Sequence, residues 1–263
     1  MDIALLGVGS LGEAVLAGLL ESGMPPSQIW ATTLPAERAG LLADRYRVEV
    51  GTDNTSAVNE ADLVIVTVGT DAVVPLLTEI APDLEEDAIV VSLVSGVPLA
   101  VLSSLLPESA VVVRGMTSIA ARARQAATAL AAPEGTDLTE VEDLFDRLGV
   151  TVTVDESLMD LVTAVAGAGH ASLLQLADAL TGAAVDGGME AEAARVLVDQ
   201  VLLGACLNLQ VAHEPPAALL ERVATAGGPT HVALETLRIG RVSETIAAAV
   251  EAAAERGHEL AEG

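Results

Sequence analysis

The sequence predicts an α/β chain, with a parallel-sheet domain over residues 1–155 followed by an all-α domain over residues 156–263. Three observations carry this. Short, near-continuous apolar runs alternate with amphipathic stretches through the first half, the pattern of strands covered on both faces by helices. A glycine-rich turn, Gly7-Val8-Gly9-Ser10-Leu11-Gly12, joins the first apolar run to the first helical stretch. Beyond Asp155 the strand signal stops and only helical periodicity continues to Glu262.

Ile3–Leu6 reads as a buried strand and Leu11–Leu20 as the helix that follows it. Gln28–Thr32 is the second strand, Pro35–Tyr46 the second helix and Val48–Val50 a third strand. Leu63–Val68, Ala88–Leu93 and Ala110–Val113 are β-rich runs of strand length. Thr139–Arg147 reads as a helix, and Val150–Val154 as the last strand. In the second half, breaks at Gly187-Gly188, Pro215-Pro216 and Gly227-Gly228-Pro229 leave helices near 158–185, 190–212, 217–224 and 230–257. Ala164–Ala184 is apolar nearly all round, so it must be buried in a large core or against another subunit.

The glycine turn carries the first chemistry. A G-x-G-x-x-G run is informative where it follows a strand and opens a helix, which makes this a Rossmann-type dinucleotide turn. Gly7 permits the tight turn, Gly9 lets backbone approach a pyrophosphate, and Gly12 lets the helix pack closely on the strand. The helix start presents N–H groups and partial positive charge to the phosphates. A glycine turn that binds nothing is the alternative. The ribose is read about twenty residues on, at the end of the second strand. There the chain has Thr32 and Thr33, with Arg38 nearby and no acid at the strand end. That favours NADP, with NAD as the alternative. Arg38 reads equally well as a helix residue paired with Glu37 or Asp44.

Composition excludes several partners. The net charge is -26, and every basic side chain is an arginine. Such a surface repels nucleic-acid phosphates and anionic lipid, and suits concentrated salt, where self-repulsion is screened. Aromatics make up 1% of the chain, so the core rests on Ala, Val, Leu and Ile. Cys206 is the sole cysteine, which rules out an intrachain disulfide, and it reads as a small core residue. The histidines, at 170, 213, 231 and 258, form no metal-ligand cluster, so no metal is expected. Asp2, Gly7, Gly9, Gly12 and Glu13 spoil an N-terminal signal peptide. No later segment reads as about 18 uncharged apolar residues, so no membrane span is expected. A cytoplasmic protein follows.

The order of motifs resembles the pyrroline-5-carboxylate reductase family over almost the whole chain. GVGSLG at Gly7–Gly12, NTSAVNEADLVIVTV at Asn54–Val68 and SLVSGV at Ser92–Val97 are similar to that family's nucleotide domain. TAVAGAGHA at Thr163–Ala171 resembles its TAVSGSGPA, DALTGAAVDGGM at Asp178–Met189 its DALADAAVxxGx run, and TAGGPT at Thr225–Thr230 its SPGGTT. The resemblance implies a helical dimerisation domain after the nucleotide domain, and an active site between them shared across a homodimer or larger homo-oligomer. It implies reduction of the C=N bond of a cyclic imine by NAD(P)H, giving L-proline. It suggests Gly7, Gly9, Ser10 and Leu11 at the pyrophosphate, Asn54 near the adenosine ribose, and Val68 and Gly69 beside the cofactor. Met116 falls in the family's MPNTP stretch. Thr225, Gly227, Gly228 and Thr230 would line the substrate carboxylate.

The chain departs from the family at several of these points. MPNTP is here Met116-Thr117-Ser118-Ile119-Ala120, the family's Val-Lys-Pro is Val68-Gly69-Thr70, and Pro229 replaces the first threonine of SPGGTT. His170 stands where the family has proline. His170 and His231 could each donate a proton near neutral pH or simply pack, and Thr230 could serve the substrate or cap a helix. Arg114, Arg122 and Arg124 could hold an anion or form surface ion pairs. The alternatives to a reductase of this substrate are a different small imine or oxo-acid substrate, and a nucleotide-binding relative without catalysis.

Overall fold

A computed structural model describes residues 1–262. It resolves into two compact units, Met1–Gly167 together with the end of the chain from Ala252, and Ala168–Glu251.

The first unit is built on one eight-stranded sheet: β1 (Ile3–Leu6), β2 (Ile29–Thr32), β3 (Glu49–Gly51), β4 (Leu63–Val66), β5 (Ile89–Ser92), β6 (Val111–Met116), β7 (Ala126–Ala131) and β8 (Gly149–Thr153). Their spatial order is β3-β2-β1-β4-β5-β6-β7-β8. Every pairing is parallel except β6 with β7, where Arg114 faces Ala131. The chain reverses at β1, running outward to β3 and then back across to β4. That reversal opens a crevice at the carboxyl ends of β1 and β4, where ligands of open α/β sheets sit.

Side-chain alternation divides the core in two. Ile3, Leu5, Leu63 and Ile65 point to one face, against Val15, Leu16 and Leu19 of α1 (Ser10–Glu21) and Phe145 of α6 (Thr139–Asp146). Ala4, Leu6, Val64 and Val66 point to the other, covered by α3 (Asn54–Val58), α4 (Val73–Ile80) and α5 (Leu99–Ser104). The helix after β2, α2 (Ala36–Tyr46), contributes Leu42 to the first face. Gly18 lets α1 lie against the backbone at Ala121, whose carbonyl oxygen a Cβ there would strike.

The sequence reading missed β7. Its AATALA composition is poor in β-formers, yet Ala126, Ala129, Leu130 and Ala131 are buried. Arg114 is another correction: it is 5% exposed rather than on the surface, and it pairs with Glu156 at 3.4 Å and Asp160 at 3.0 Å. Arg124 donates to the carbonyl of Arg147, so the three arginines do not act as one cluster.

Helical structure continues through α7 (Met159–Val162), a π-helical segment (Thr163–Ala168) and α8 (Gly169–Asp186). Then come α9 (Ala191–Ala212), α10 (Pro216–Val223), α11 (Pro229–Ile239) and α12 (Val242–Glu262). The expected helix 230–257 is therefore two helices. They part at Gly240-Arg241, where Arg241 takes a left-handed φ of 56°. Cys206 is exposed rather than in a core. Two helical stretches, Glu156–Asp186 and Ala191–Ala212, are long and apolar enough to cross a membrane by length and composition alone, with at most two charged residues in the 18-residue window. In the second unit α8 packs on α9, but Leu173, Leu174, Val201 and Leu203 stay more than half exposed, at 53, 57, 61 and 53%.

Phe145, the one phenylalanine, is fully buried in the first face of the sheet. Truncation to alanine removes its packing and leaves a cavity. Phe145→Ala is expected to lower the unfolding free energy by about 3–5 kcal/mol, measured by urea denaturation; a loss under about 1 kcal/mol would show that this face does not carry the core.

Candidate functional site

The site starts at the turn after β1. Gly7 adopts φ +78°, a left-handed conformation that disfavours any Cβ. A Cβ there would also collide with the Cγ1 of Val68. The N–H groups of Gly7 and Val8 both donate to the carbonyl of Thr32, at 3.0 and 2.8 Å, tying the turn to the end of β2. The Thr67 hydroxyl donates to the carbonyls of Leu6 and Gly7 at 3.0 Å each, tying it to the end of β4. At Gly12 a Cβ would come within 2.5 Å of that hydroxyl, which is why α1 needs glycine to leave the sheet so closely.

Gly9 differs from both. Its φ is -88°, and a Cβ would project into open space with only the Gly7 carbonyl oxygen nearby, at 4.0 Å. No side chain caps α1; Gly9 and Ser10 are exposed. The residues therefore fit a pyrophosphate, with room above Gly9 and N–H groups at the helix start without a capping side chain.

The end of β2 is polar and closely tied. Thr32 is 1% exposed and donates to Asn54 Oδ1 at 2.7 Å. Asn54 opens α3, which Asp53 caps by accepting from the N–H groups of Thr55 and Ser56. Hydrogen bonds from Ser56, then from Thr55, hold the Asp53 carboxyl below its ordinary range. The Thr33 hydroxyl and Arg38 Nε both donate to the Val8 carbonyl, at 3.1 Å each. Arg38 pairs with Glu13 at 2.8 Å, not with Glu37 or Asp44. Glu13 also accepts from Arg45 at 3.0 Å and from the Tyr46 hydroxyl at 2.9 Å. Burial first, then this bond to Glu13, pushes the Tyr46 phenol up.

Farther along the sheet, Val68 and Gly69 follow β4 and Met116 ends β6. Thr70 donates to the carbonyl of Ser95 at 3.2 Å, and the Ser95 hydroxyl lies 4.0 Å from the sulfur of Met116. The Met116 methyl sits where a Cβ on Gly167 would lie, 2.6 Å away. Gly167 belongs to the π-helical segment, a departure from α-helical register often found at functional sites. Thr117 is 2% exposed and hydrogen-bonded to Thr128 at 2.9 Å, so its hydroxyl serves the sheet.

The remaining candidates lie in the helical unit. His170 is the second residue of α8 and partly exposed. In Thr225–Thr230, Gly227 takes φ +74°, and the Gly228 N–H donates to the Thr225 carbonyl at 2.9 Å. Gly228, not Thr230, is the N-cap of α11, with Pro229 as the first helical residue, the position where proline lacks nothing the helix needs. Thr225, Gly227 and Thr230 are exposed. The structure thus joins Gly7, Gly12, Thr32, Asn54 and Val68 by direct bonds or close packing, sets Met116 against Ser95 and Gly167, and places His170 and Thr225–Thr230 in the other unit. Sequence reasoning missed Glu13, Thr67 and Ser95. Only Glu13 had a signal: Arg38 and Arg45 lie two turns apart on one face of α2.

Residues 156–260 match the family described as pyrroline-5-carboxylate reductase dimerisation, and residues 2–96 the one described as NADP oxidoreductase, coenzyme F420-dependent. The pyrroline-5-carboxylate reductase of Pseudomonas aeruginosa is 32% identical over 264 residues, spanning 99% of this chain and 97% of that protein. The chain belongs to the pyrroline-5-carboxylate reductase family. The solved pyrroline-5-carboxylate reductase of Coxiella burnetii matches with a TM-score of 0.89 at 26% identity, covering 98% of each chain. That of Plasmodium falciparum, solved with NADP bound, shares the fold with a TM-score of 0.89 at 21% identity, covering 99% of this chain and 98% of that one.

Within this pyrroline-5-carboxylate reductase frame, the two outer glycines of the turn serve the fold, whereas Gly9 has steric freedom. Gly7→Ala is expected to cost roughly 1–3 kcal/mol of stability through its φ and the contact with Val68, whereas Gly9→Ala should stay within about 0.5 kcal/mol of the parent. Thermal and urea melts of the two variants check this; equal losses would contradict the division.

Proposed function

We propose that this chain reduces the C=N bond of 1-pyrroline-5-carboxylate with NADPH, or with NADH, to give L-proline. The observation that carries the reading is the family match along nearly the full chain. Gly7, Gly9, Ser10, Leu11 and Gly12 hold the pyrophosphate, Thr32 and Asn54 the adenosine ribose, and Val68 and Gly69 flank the nicotinamide half. When bound, the dinucleotide supplies the reducing equivalent to the imine carbon. The protein's task is alignment and exclusion of water, because a protonated imine is already a strong acceptor.

Met116, Thr225, Gly227, Gly228 and Thr230 take the substrate. The Thr230 hydroxyl and the N–H groups at the start of α11 suit a carboxylate, while Pro229 has no N–H to offer. His170 and Thr230 are the candidate catalytic groups, His170 holding a proton at the imine nitrogen. A second reading keeps the coenzyme and takes a different small imine or oxo acid. It is favoured by Ile119, which is 51% exposed beside Met116 where the family carries threonine.

The apolar side chains exposed on α8 and α9 are covered by a second copy of the chain, making a homodimer or larger homo-oligomer. The acidic composition supports a cytoplasm of high salt as its setting, away from nucleic acid and anionic membrane. In concentrated KCl, adding 1-pyrroline-5-carboxylate should cause NADPH or NADH oxidation, and dialysis to low salt should diminish it. Turnover of another imine with none of this one selects the second reading; binding of neither coenzyme removes both. His170→Gln is expected to lower kcat by roughly 100-fold; an unchanged kcat leaves the proton with Thr230 or solvent.

A further inference from the structure

Arg38 stands in an unusual setting for a surface arginine. Its Nε–H donates to the Val8 carbonyl at 3.1 Å, inside the glycine turn, and its Nη2 to Glu13 at 2.8 Å. The Thr33 hydroxyl shares the same Val8 acceptor at 3.1 Å. The guanidinium is therefore fixed beside the first residue after β2, where a dinucleotide's adenosine ribose is read. No acid stands there to accept a ribose 2′-hydroxyl. The other Arg38 donors have no partner among the described residues, and its side chain is 37% exposed.

Glu13 makes this setting possible. It is the better buried partner, 17% exposed against 37% for Arg38. Its second oxygen is saturated by Arg45 at 3.0 Å and Tyr46 at 2.9 Å, and the Arg45 guanidinium lies 5.4 Å from the Tyr46 ring centroid. One carboxylate thus faces two guanidiniums. A long arginine side chain otherwise loses rotamer freedom when it grips an anion; here the protein has already fixed it.

Resting on the coenzyme site described above, we propose that Arg38 pairs with the 2′-phosphate of NADP(H) and that Glu13 is the positioning residue that holds it there, making the chain selective for NADP(H) over NAD(H). Glu13 acts through Arg38 and touches no coenzyme atom itself. The test is calorimetric binding of NADP⁺ and NAD⁺ to the full chain, to Arg38→Gln, to Glu13→Gln and to the double variant, in one salt buffer. The parent should prefer NADP⁺. Arg38→Gln should cut that preference by about tenfold or more, the worth of a charge-assisted bond to phosphate, and Glu13→Gln by several-fold. In the double variant Glu13→Gln should add nothing to Arg38→Gln, which a merely structural role would not produce. A preference that either single variant leaves unmoved, equal weakening of both coenzymes by Glu13→Gln, or a parent that prefers NAD⁺ overturns the proposal. Arg38→Gln is decisive by itself if Glu13→Gln does not fold. A parent that binds neither coenzyme brings down the site reading along with this one.

Discussion

Three strands end around Gly7, and the backbone there has almost no freedom. Its left-handed φ, two N–H donations into the Thr32 carbonyl and the press of Val68 are mutually dependent. A side chain at that position would push β4 away from β1 or break the link to β2. Because the constraint falls on Gly7 and Gly12, the space above Gly9 is left free of packing. Thr32 closes the arrangement from below. Its carbonyl receives the turn and its hydroxyl reaches Asn54 at 2.7 Å, so the start of α3 is set by the same strand end. One junction thus positions the glycine turn, the end of β2 and the entrance to α3.

How much of this could be read from the sequence follows from what produces local signals. β1, β2 and β4 were legible because buried parallel strands are written as continuous apolar runs, and the glycine turn because steric demands on backbone admit few residue types. β7 was not legible: its burial comes from neighbouring strands rather than from any β preference of AATALA. The break at Gly240-Arg241 was missed since the left-handed residue is an arginine rather than a glycine. In the site, the hydroxyls at Thr32 and Asn54 could be nominated by position. The role of Glu13 was only hinted at by the spacing of Arg38 and Arg45, because these partners come from a second helix, and only the bonds between α1 and α2 show that they meet.

The use of arginine shows a division of labour. Arg195, Arg238 and Arg256 make exposed pairs with acids one turn away on their own helices, and Arg241 pairs from the break before α12 with Glu244. Such pairs contribute little each and serve to dilute a dense negative surface. Arg114 is different in kind. It is buried, and its two acids, Glu156 and Asp160, sit at the start of the helical run that leads to the π-helical segment. Glu156 also accepts from the Leu99 N–H at 2.6 Å, so a single carboxylate ties β6 and α5 to the turn that precedes α7. The start of the helical run is therefore held by charge as well as by the buried Met159. This suits a core with almost no aromatic side chains to fix orientation.

The departures from the family pattern fall where imine chemistry is least demanding. Thr117 faces the sheet and bonds Thr128, so substitution there changes how β6 ends, not which donors face outward. Pro229 occupies the one helical position at which a missing N–H costs the helix nothing, and it leaves the next N–H groups of α11 in place. Reduction of a protonated C=N needs no strong acid and no covalent nucleophile; it needs the two reactants held in line. An active site with that task can exchange hydroxyl-bearing residues for isoleucine or proline and keep its reaction, provided the backbone groups that grip the carboxylate survive. The backbone of Thr225–Thr230 is fixed here by Gly227 at φ +74° and by the Gly228 N–H on the Thr225 carbonyl, both independent of the replaced side chains. The replaced side chains and the conformation of this loop are therefore separable in the fold.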